Sequence, residues 1–429
     1  MSDAAQLTKA VRGREKLAGA VFDTLARKTR RGAGICRASY SPEENFAHDL
    51  IAEEGKRAGL EVSRDAAANT YVTLPGRDRK APPVLMGSHL DSVAEGGNYD
   101  GAAGVVAGLV ALAGFKDAGW TPARDLTVMG VRAEESAWFQ VSYIGSRSAL
   151  GVLAPDVYET ARRTDTGRTL AEHMAECGAD PEKLRRGGAP HLDAKRLHAF
   201  LELHIEQGPV LHAEGLPIGI ATGIPGNFRH PQIVFTGEYG HVGYAREYRR
   251  DAALAAAALI SRLDRLWEET LATGQNMTMT VGRLFTDPAN HALTKVAGKV
   301  ELSLDMRSTD PALLKTLEAR FQAIANDVAA QYRVGLDLGR RTHAAVGVMD
   351  ATIRGQLLRA AKTLGLPHKE IASPASHDAA AFSAAGVPTA MIFVRNDHGS
   401  HNPDEHMELS DFMDGTAVLA SWLAEHGGA

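Results

Sequence analysis

Short apolar segments alternate with longer amphipathic ones along most of the chain. The runs in PPVLMGSHLD, DLTVMGVRAEE and PTAMIFVRN predict buried strands, and each run is followed by polar residues. SPEENFAHDLIAEEGKRAGL predicts a helix that Ser41 caps, with Pro42 in its first turn and Gly59 near its end. Gly101 to Gly114 predicts a helix that is apolar on all sides and therefore buried. Because strands and helices alternate, the pattern predicts an α/β fold with a mainly parallel sheet.

The pattern changes between about residues 217 and 331. This segment contains strand-like runs, such as PQIVFTGEYG and KVELSLDMRS, and two long amphipathic helices, RRDAALAAAALISRLDRLWEETL and PALLKTLEARFQAIANDVAAQY. A chain of 429 residues is long enough for two domains. We therefore predict a main domain of residues 1–216 and 332–429, and a smaller α+β sandwich of residues 217–331 that is inserted into it.

The composition narrows the class of protein. Apolar residues make up 44% of the chain and charged residues 23%, as in folded globular proteins. The net charge of -5 gives no reason to expect nucleic acid or an anionic membrane as a partner. The longest apolar run is too short to cross a bilayer, and the beginning of the chain lacks the apolar region of a signal peptide. Two cysteines, Cys36 and Cys177, fit a reducing compartment, so we expect a soluble cytoplasmic protein.

Polar residues gather where the predicted strands end and in the loops that follow them. They are His89 and Asp100, the pair Glu134 and Glu135, His204 in FLELHIEQG, His241 in GEYGHVGY, and His401 in GSHNPDEH. Each has an ordinary explanation when taken alone: a structural histidine, a helix cap, an exposed strand end or a solvated loop. In a parallel sheet, however, ligands bind at the carboxyl ends of the strands. Imidazoles and carboxylates are the ligands of hydrolytic zinc and manganese sites, so the group as a whole predicts a metal site.

A site with two metals needs further groups. One carboxylate must bridge the metals, and a second acid that binds neither of them must move the proton of the attacking water. The adjacent Glu134 and Glu135 suit a division of this kind, with one glutamate as ligand and its neighbour as proton acceptor.

Longer motifs point to one family. They are GSHLDSVAEGGNYDGAAGVVAGL, RAEESAWF, GSRSALG, ELHIEQGPVLHAEGLPIGIATGI, GEYGHVGYAREYRRDAALAAA, LSLDMRSTD, SHDAAAF and GSHNPDEHMELSDF. Through these motifs the chain resembles the M20 metallopeptidase clan, from about residue 40 to 425. Within the clan it is similar to the branch of N-carbamoyl-L-amino-acid hydrolases, allantoate amidohydrolases and β-ureidopropionases, which HIEQGPVL separates from the peptidases.

The resemblance implies a set of metal ligands. His89 and His204 would hold one divalent metal, Glu135 and His401 would hold the second, and Asp100 would bridge both. These ligands suit zinc or manganese, and they are also compatible with cobalt or nickel.

The resemblance also implies the groups that act on the substrate. Glu134 would be the general base, and His241, supplied by the partner subunit of a homodimer, would stabilise the oxyanion. Gln207 would contact the substrate, and Arg307 would grip its carboxylate with its planar guanidinium group. Asp91 would orient the imidazole of His89.

The chain departs from the usual motifs of the family at positions expected to bind substrate. Trp138 replaces an arginine, Tyr244 a threonine and Ser376 a glycine, and Thr294 lies near the place of an asparagine. Trp138 would contact an apolar or aromatic group of the substrate, or it would pack within the protein. The expected ligands and base are all present, so the departures bear on the substrate and not on the type of reaction.

The leading hypothesis is a metal-dependent amidohydrolase. It would cleave a linear amide or ureido C–N bond in a small molecule that carries a carboxylate, such as an N-carbamoyl-L-amino acid, through a metal-activated hydroxide and a glutamate base. The nearer alternative is a dipeptidase or aminoacylase of the same clan, and the more distant one is a catalytically silent binding protein. We expect the inserted domain to act as a lid and to form the homodimer interface, for which its apolar helix at 251–271 supplies a surface.

Overall fold

A computed structural model describes residues 3–427. Its strands are β1 Arg30–Arg31, β2 Gly34–Ile35, β3 Glu61–Arg64, β4 Thr70–Leu74, β5 Val84–His89, β6 Leu126–Val131, β7 Ala199–Ile205, β8 Ile218–Ala221, β9 Gly223–Ile224, β10 Gly226–Thr236, β11 Gly240–His241, β12 Thr278–Thr280, β13 Leu284–Thr286, β14 Lys295–Val296, β15 Lys299–Ser308, β16 Gly335–Asp337, β17 Thr342–Ala344, β18 Gly347–Val348, β19 His368–Ile371 and β20 Thr389–Val394. Its helices are α1 Asp3–Arg12, α2 Glu15–Thr29, α3 Pro42–Arg57, α4 Ala102–Asp117, α5 Ser136–Phe139, α6 Ile144–Ala149, α7 Val157–Thr160, α8 Leu170–Glu176, α9 Pro181–Arg186, α10 Val210–Glu214, α11 Ala252–Ala272, α12 Pro311–Tyr332, α13 Ala351–Thr363, α14 Asp378–Ala384 and α15 Leu409–Trp422.

The chain divides into two compact units. The first, which we call the main unit, runs up to Ile224 and resumes at Val348; the second unit is Pro225–Gly347. These boundaries differ from the 217 and 331 predicted from the sequence, and strand pairing explains the difference. β8 is a strand of the main sheet, where it pairs with β19 and β20, whereas β16 and β17 pair with β10 of the second unit.

The main unit is built on an eight-stranded sheet in the order β19-β8-β20-β7-β5-β6-β4-β3. Its four central strands, β20, β7, β5 and β6, are parallel, and β4 and β3 extend the sheet in antiparallel fashion at one edge. The predicted α/β fold with a mainly parallel sheet is confirmed. All four central strands are buried on both faces, and their carboxyl ends lie at one edge of the sheet.

Helices cover both faces of this sheet. On one face α1, α2, α4 and α15 form an apolar core with the strands, and Val105, Leu109 and Leu112 of α4 are completely buried in it. The predicted cap of α3 is confirmed, since Ser41 Oγ accepts a hydrogen bond from the Glu44 amide and Pro42 begins the helix. No helix within residues 3–427 is both long and apolar enough to cross a membrane.

The second unit has a separate core and a sheet of its own. In this sheet β12, β15, β10 and β16 lie in that order, and β15 pairs with β10 in antiparallel register along most of its length. The helices α11 and α12 supply Leu259, Leu263 and Phe321 to the apolar core beneath the sheet. An antiparallel sheet covered by two helices is an α+β sandwich, the architecture that the sequence pattern predicted for this segment.

Candidate active site

The main sheet collects the candidate residues at the carboxyl ends of its central strands. His89 is the last residue of β5, and His204 lies one residue before the end of β7. The loop after β6 carries Glu134 and Glu135, and the loop after β20 carries His401. Because these strands are parallel and adjacent, their carboxyl ends meet, and residues far apart in the chain become neighbours.

Two histidines face one oxygen of Asp100. His89 Nε2 lies 3.4 Å from Asp100 Oδ1, and His204 Nε2 lies 3.2 Å from the same atom. On the far side of each ring, Nδ1 lies near a backbone carbonyl: that of Asp91 at 3.0 Å for His89, and that of Ile205 at 2.9 Å for His204. Since a carbonyl can only accept a hydrogen bond, each Nδ1 donates its proton away from Asp100, and Nε2 is the ring atom that faces the carboxylate.

The other oxygen of Asp100 lies near the second group of candidates. His401 Nε2 is 3.3 Å from Asp100 Oδ2 and 3.2 Å from Glu135 Oε1. The carboxylates of Asp100 and Glu135 raise the pKa of His401 to about 11. Ligand atoms of His89, Asp100 and His204 lie within 4.8 Å of one another, as do those of Asp100, Glu135 and His401, so Asp100 belongs to both groups.

The turn between β5 and α4 brings Asp100 to the histidines. Gly101 has a φ of +67°, a conformation that favours glycine, and a Cβ atom there would lie 2.4 Å from the His89 ring. The Gly101 amide also lies 3.1 Å from His204 Nε2. The chain therefore passes directly against both imidazoles, and a side chain at position 101 would collide with the His89 ring.

Glu134 lies beside this cluster in a buried position. Burial raises its pKa well above that of an ordinary glutamate, and the nearby Glu135 and Asp378 add to the rise, which His89 opposes. Its backbone amide and that of Glu135 donate to the carboxylate of Asp91, over 3.0 and 3.2 Å. Asp91 was expected to orient His89, and its carboxylate does lie 3.4 Å from His89 Nδ1. Its shorter contacts, however, are to the segment that carries the two glutamates.

Gln207 also lies in this cluster. Its Nε2 donates to Asp100 Oδ2 over 2.7 Å, and its backbone has a φ of +61°. Its Oε1 is buried and has no hydrogen-bond donor among residues 3–427. A buried carbonyl oxygen without a donor is costly in a folded protein, so this oxygen is free to accept a hydrogen bond from a ligand.

Trp138 is packed into the protein. Its side chain is only 7% exposed, and it belongs to an apolar cluster with Tyr40, Phe139 and Leu170. The indole Nε1 donates to the carbonyl of Ser92 over 2.8 Å. Of the two roles that the sequence left open for Trp138, this geometry favours packing over contact with substrate.

His241 and Arg307 belong to the second unit. His241 is exposed on the short strand β11, and its Nδ1 accepts a hydrogen bond from the Gly243 amide. Arg307 lies on β15, where its Nε and Nη2 both donate to the carboxylate of Asp305.

The sequence motifs contained a further histidine of the site that was not singled out, His377. It is buried, its ring centroid lies 4.3 Å from that of His204, and its Nε2 is 3.0 Å from Ser373 Oγ. Glu202, on β7, is also buried next to His204 and accepts hydrogen bonds from Ser88 Oγ and the Ala379 amide. A signal was present, because SHDAAAF places a histidine and an acid directly before an alanine-rich helix.

A protein-family model matches most of the chain. The model of peptidase family M20/M25/M40 matches residues 85–425. The chain belongs to the M20 family. It is 35% identical over 388 residues to an N-carbamoyl-L-amino acid amidohydrolase of Geobacillus stearothermophilus, a match that covers 90% of this chain and 92% of the relative. It is 30% identical over 393 residues to the allantoate amidohydrolase of Escherichia coli strain K12, covering 91% of this chain and 92% of the relative.

Solved structures place the chain in the same branch of the M20 family. An amidase of the hydantoinase/carbamoylase family from Burkholderia multivorans superimposes with a TM-score of 0.85 at 29% identity, over 97% of this chain and 98% of that one. The expected resemblance to the amidohydrolase branch is thus confirmed, and the chain is a hydrolase. M20 enzymes use divalent metals, and the donor atoms around Asp100 form candidate sites for them.

Proposed function

We propose that this protein is a metal-dependent amidohydrolase that cleaves the carbamoyl or ureido C–N bond of a small molecule bearing a carboxylate, such as an N-carbamoyl-L-amino acid. The observation that carries the proposal is the position of Asp100 between three imidazoles, with the buried Glu134 beside them. Relatives that match over nine-tenths of the chain act on N-carbamoyl-L-amino acids and on allantoate, which supports this class of substrate.

The donor set fits two divalent cations. The Nε2 atoms of two imidazoles face a buried carboxylate oxygen, Asp100 Oδ1, that has no hydrogen-bond partner among residues 3–427. Such an arrangement is unfavourable unless a cation lies between the groups. His89 and His204 would hold one cation, Glu135 and His401 the other, and Asp100 both. When bound, the cations would polarise the scissile carbonyl as Lewis acids and promote ionisation of the attacking water.

Glu134 acts as the general base in this proposal. Its carboxyl group is buried, and burial raises its pKa, so its ionised form is a stronger proton acceptor than an exposed glutamate. It takes a proton from the attacking water and returns it to the leaving nitrogen. For a carbamoyl substrate, the products are the amino acid, ammonia and carbon dioxide.

The remaining groups bind the substrate. Gln207 Oε1 accepts a hydrogen bond from a substrate N–H, and His377 contributes an imidazole on the His204 side of the site. From the family resemblance, Arg307 would bind the substrate carboxylate, and His241 of the partner subunit would stabilise the oxyanion. The exposed apolar residues Leu284 and Phe285 on β13 support a homodimer formed through the second unit.

A panel of substrates tests the proposal. The N-carbamoyl, N-acetyl and dipeptide forms of one L-amino acid, together with allantoate, are compared by kcat/KM after the enzyme is loaded with Zn²⁺, Mn²⁺ or Co²⁺. We expect the carbamoyl or ureido compounds to be preferred. Preference for the N-acetyl or dipeptide form would identify an aminoacylase or dipeptidase instead. No turnover and no bound metal under any loading would mean that the chain is a binding protein.

A further inference from the structure

A buried carboxylate outside the active site, Glu44, holds the segment that carries Glu134. Glu44 lies in the first turn of α3, and both it and its partner Arg132 are completely buried. Its Oε2 accepts hydrogen bonds from the Tyr40 amide over 2.6 Å and from Arg132 Nη1 over 3.0 Å. Its Oε1 accepts from the amide of Ala133 over 2.9 Å. Glu44 is far from Glu134 in the sequence, yet through the Ala133 amide its carboxylate holds the chain one residue before this proposed general base.

Three consecutive amides are therefore bound by two buried carboxylates. Ala133 donates to Glu44, and Glu134 and Glu135 donate to the two oxygens of Asp91. The two acids come from different elements, since Glu44 belongs to α3 and Asp91 follows β5. Each of these amides donates to a separate carboxylate oxygen, so this arrangement fixes the direction of each peptide in the segment.

The first of these peptides needs such support because Ala133 has a φ of +51°, in the left-handed region. A residue with a Cβ atom rarely adopts this conformation, and it persists only where the surroundings impose it. The carbonyl of Ala133 is also bound, by the Ile144 amide over 3.0 Å. Glu44 thus holds the amide side of a strained residue whose conformation sets where the next side chain points.

We propose that Glu44 is a positioning residue for the general base: it keeps Ala133 in the left-handed conformation and so aims the carboxylate of Glu134 at the reacting atoms. The inference rests on the proposed function of Glu134. Arg132 neutralises the charge of Glu44, and Arg132 is itself held by the carbonyl of Ala68 over 3.1 Å.

Two substitutions separate this role from general stability. Glu44→Gln keeps the size of the side chain, but its amide group has one acceptor for three donors. If the amide oxygen of the new glutamine accepts from Arg132, its NH₂ group faces the Ala133 amide. Two donors then face each other, so the hydrogen bond to Ala133 is lost. Glu44→Asp keeps the charge beside Arg132 and withdraws the acceptor by one methylene, so it serves where the glutamine variant does not fold. Glu53→Gln, at an exposed position on the same helix, is the matched control.

The expected result is a fall in kcat with little change in substrate affinity. A misplaced reacting group costs on the order of 10- to 100-fold in kcat, so we expect such a loss for both Glu44 variants, with KM within about threefold of wild type and unchanged metal content. Adding Ala133→Gly to Glu44→Asp is expected to restore most of the lost kcat, because glycine adopts a positive φ without support.

A measurement that does not depend on activity completes the test. Hydrogen exchange of amides 133–135 in metal-free protein is expected to quicken in both Glu44 variants and to stay at the wild-type rate in Glu53→Gln. Wild-type kcat and exchange in a folded Glu44 variant, or no recovery with Ala133→Gly, would overturn the proposal. If the wild-type enzyme hydrolyses no member of the substrate panel, the proposed function fails, and the exchange rates alone decide whether Glu44 holds the segment.

Discussion

Because the backbone of Gly101 lies against the His89 ring, we predict that a side chain at this position weakens metal binding. Gly101→Ala places a methyl group 2.4 Å from the His89 ring at a residue whose φ is +67°. Gly119→Ala is a matched control, because Gly119 has a φ of +66° and a Cβ atom there meets nothing within 4 Å. The two substitutions therefore share the backbone cost and differ in the contact with the proposed metal ligand.

The magnitudes follow from this difference. A left-handed alanine costs roughly 1–2 kcal/mol at either position. At Gly101 the overpacking of a buried ring adds about 1–3 kcal/mol, so the total loss there is about 2–5 kcal/mol. Moving His89 to relieve the contact would also take its Nε2 away from Asp100. We expect Gly101→Ala to lower both the stability and the metal content, and Gly119→Ala to lower the stability alone.

Urea unfolding and elemental analysis after dialysis measure the two effects. Both variants are compared with wild type at the same protein concentration and after the same metal loading. Equal stability losses in the two variants, together with full metal content in Gly101→Ala, would refute the claim that the turn is closed around His89.

Two further predictions concern residues outside the proposed metal ligands. Trp138→Phe removes the donor to the Ser92 carbonyl, so it should lower the free energy of unfolding by about 1–3 kcal/mol. The ranking of the substrates by kcat/KM should stay the same. A changed ranking would show that the indole contacts the substrate. Burial raises the pKa of the Cys177 thiol to about 11, so the folded protein holds a proton that the unfolded chain, with a thiol pKa of about 8.5, releases. Stability should therefore fall as the pH rises from about 8.5 to 11, and unfolding midpoints of Cys177→Ala should lack this part of the fall.

Strand periodicity and chain order were sufficient to predict the main sheet and the location of the candidate ligands. His89, Glu135 and His204 follow or end apolar runs, and parallel strands bring such ends together regardless of their separation in sequence. The boundaries of the two compact units depend on which strands pair with each other. β8 reads as the beginning of the inserted segment, yet it pairs with β20 of the main sheet, a contact between residues far apart in the chain.

The supporting contacts of the site could not be predicted for a similar reason. The pattern around Glu44 indicates only a helix cap, and Ser41 fills that role by accepting a hydrogen bond from the Glu44 amide. The carboxylate of Glu44 also contacts Arg132 and the Ala133 amide. These contacts depend on how α3 packs beside the end of β6. His377 likewise lies in a loop: SHDAAAF marks it as a candidate, but the local sequence does not show that its ring packs beside His204.

The central claim is that Glu134 moves the proton in a metal-dependent hydrolysis, and Glu134→Gln tests it most directly. The substitution keeps the size of the side chain and removes its ability to accept the proton. With a carbamoyl substrate, the account predicts a loss of kcat of about 10²- to 10⁴-fold and a metal content equal to that of wild type by elemental analysis. Turnover close to the wild-type rate with both metals bound would contradict it.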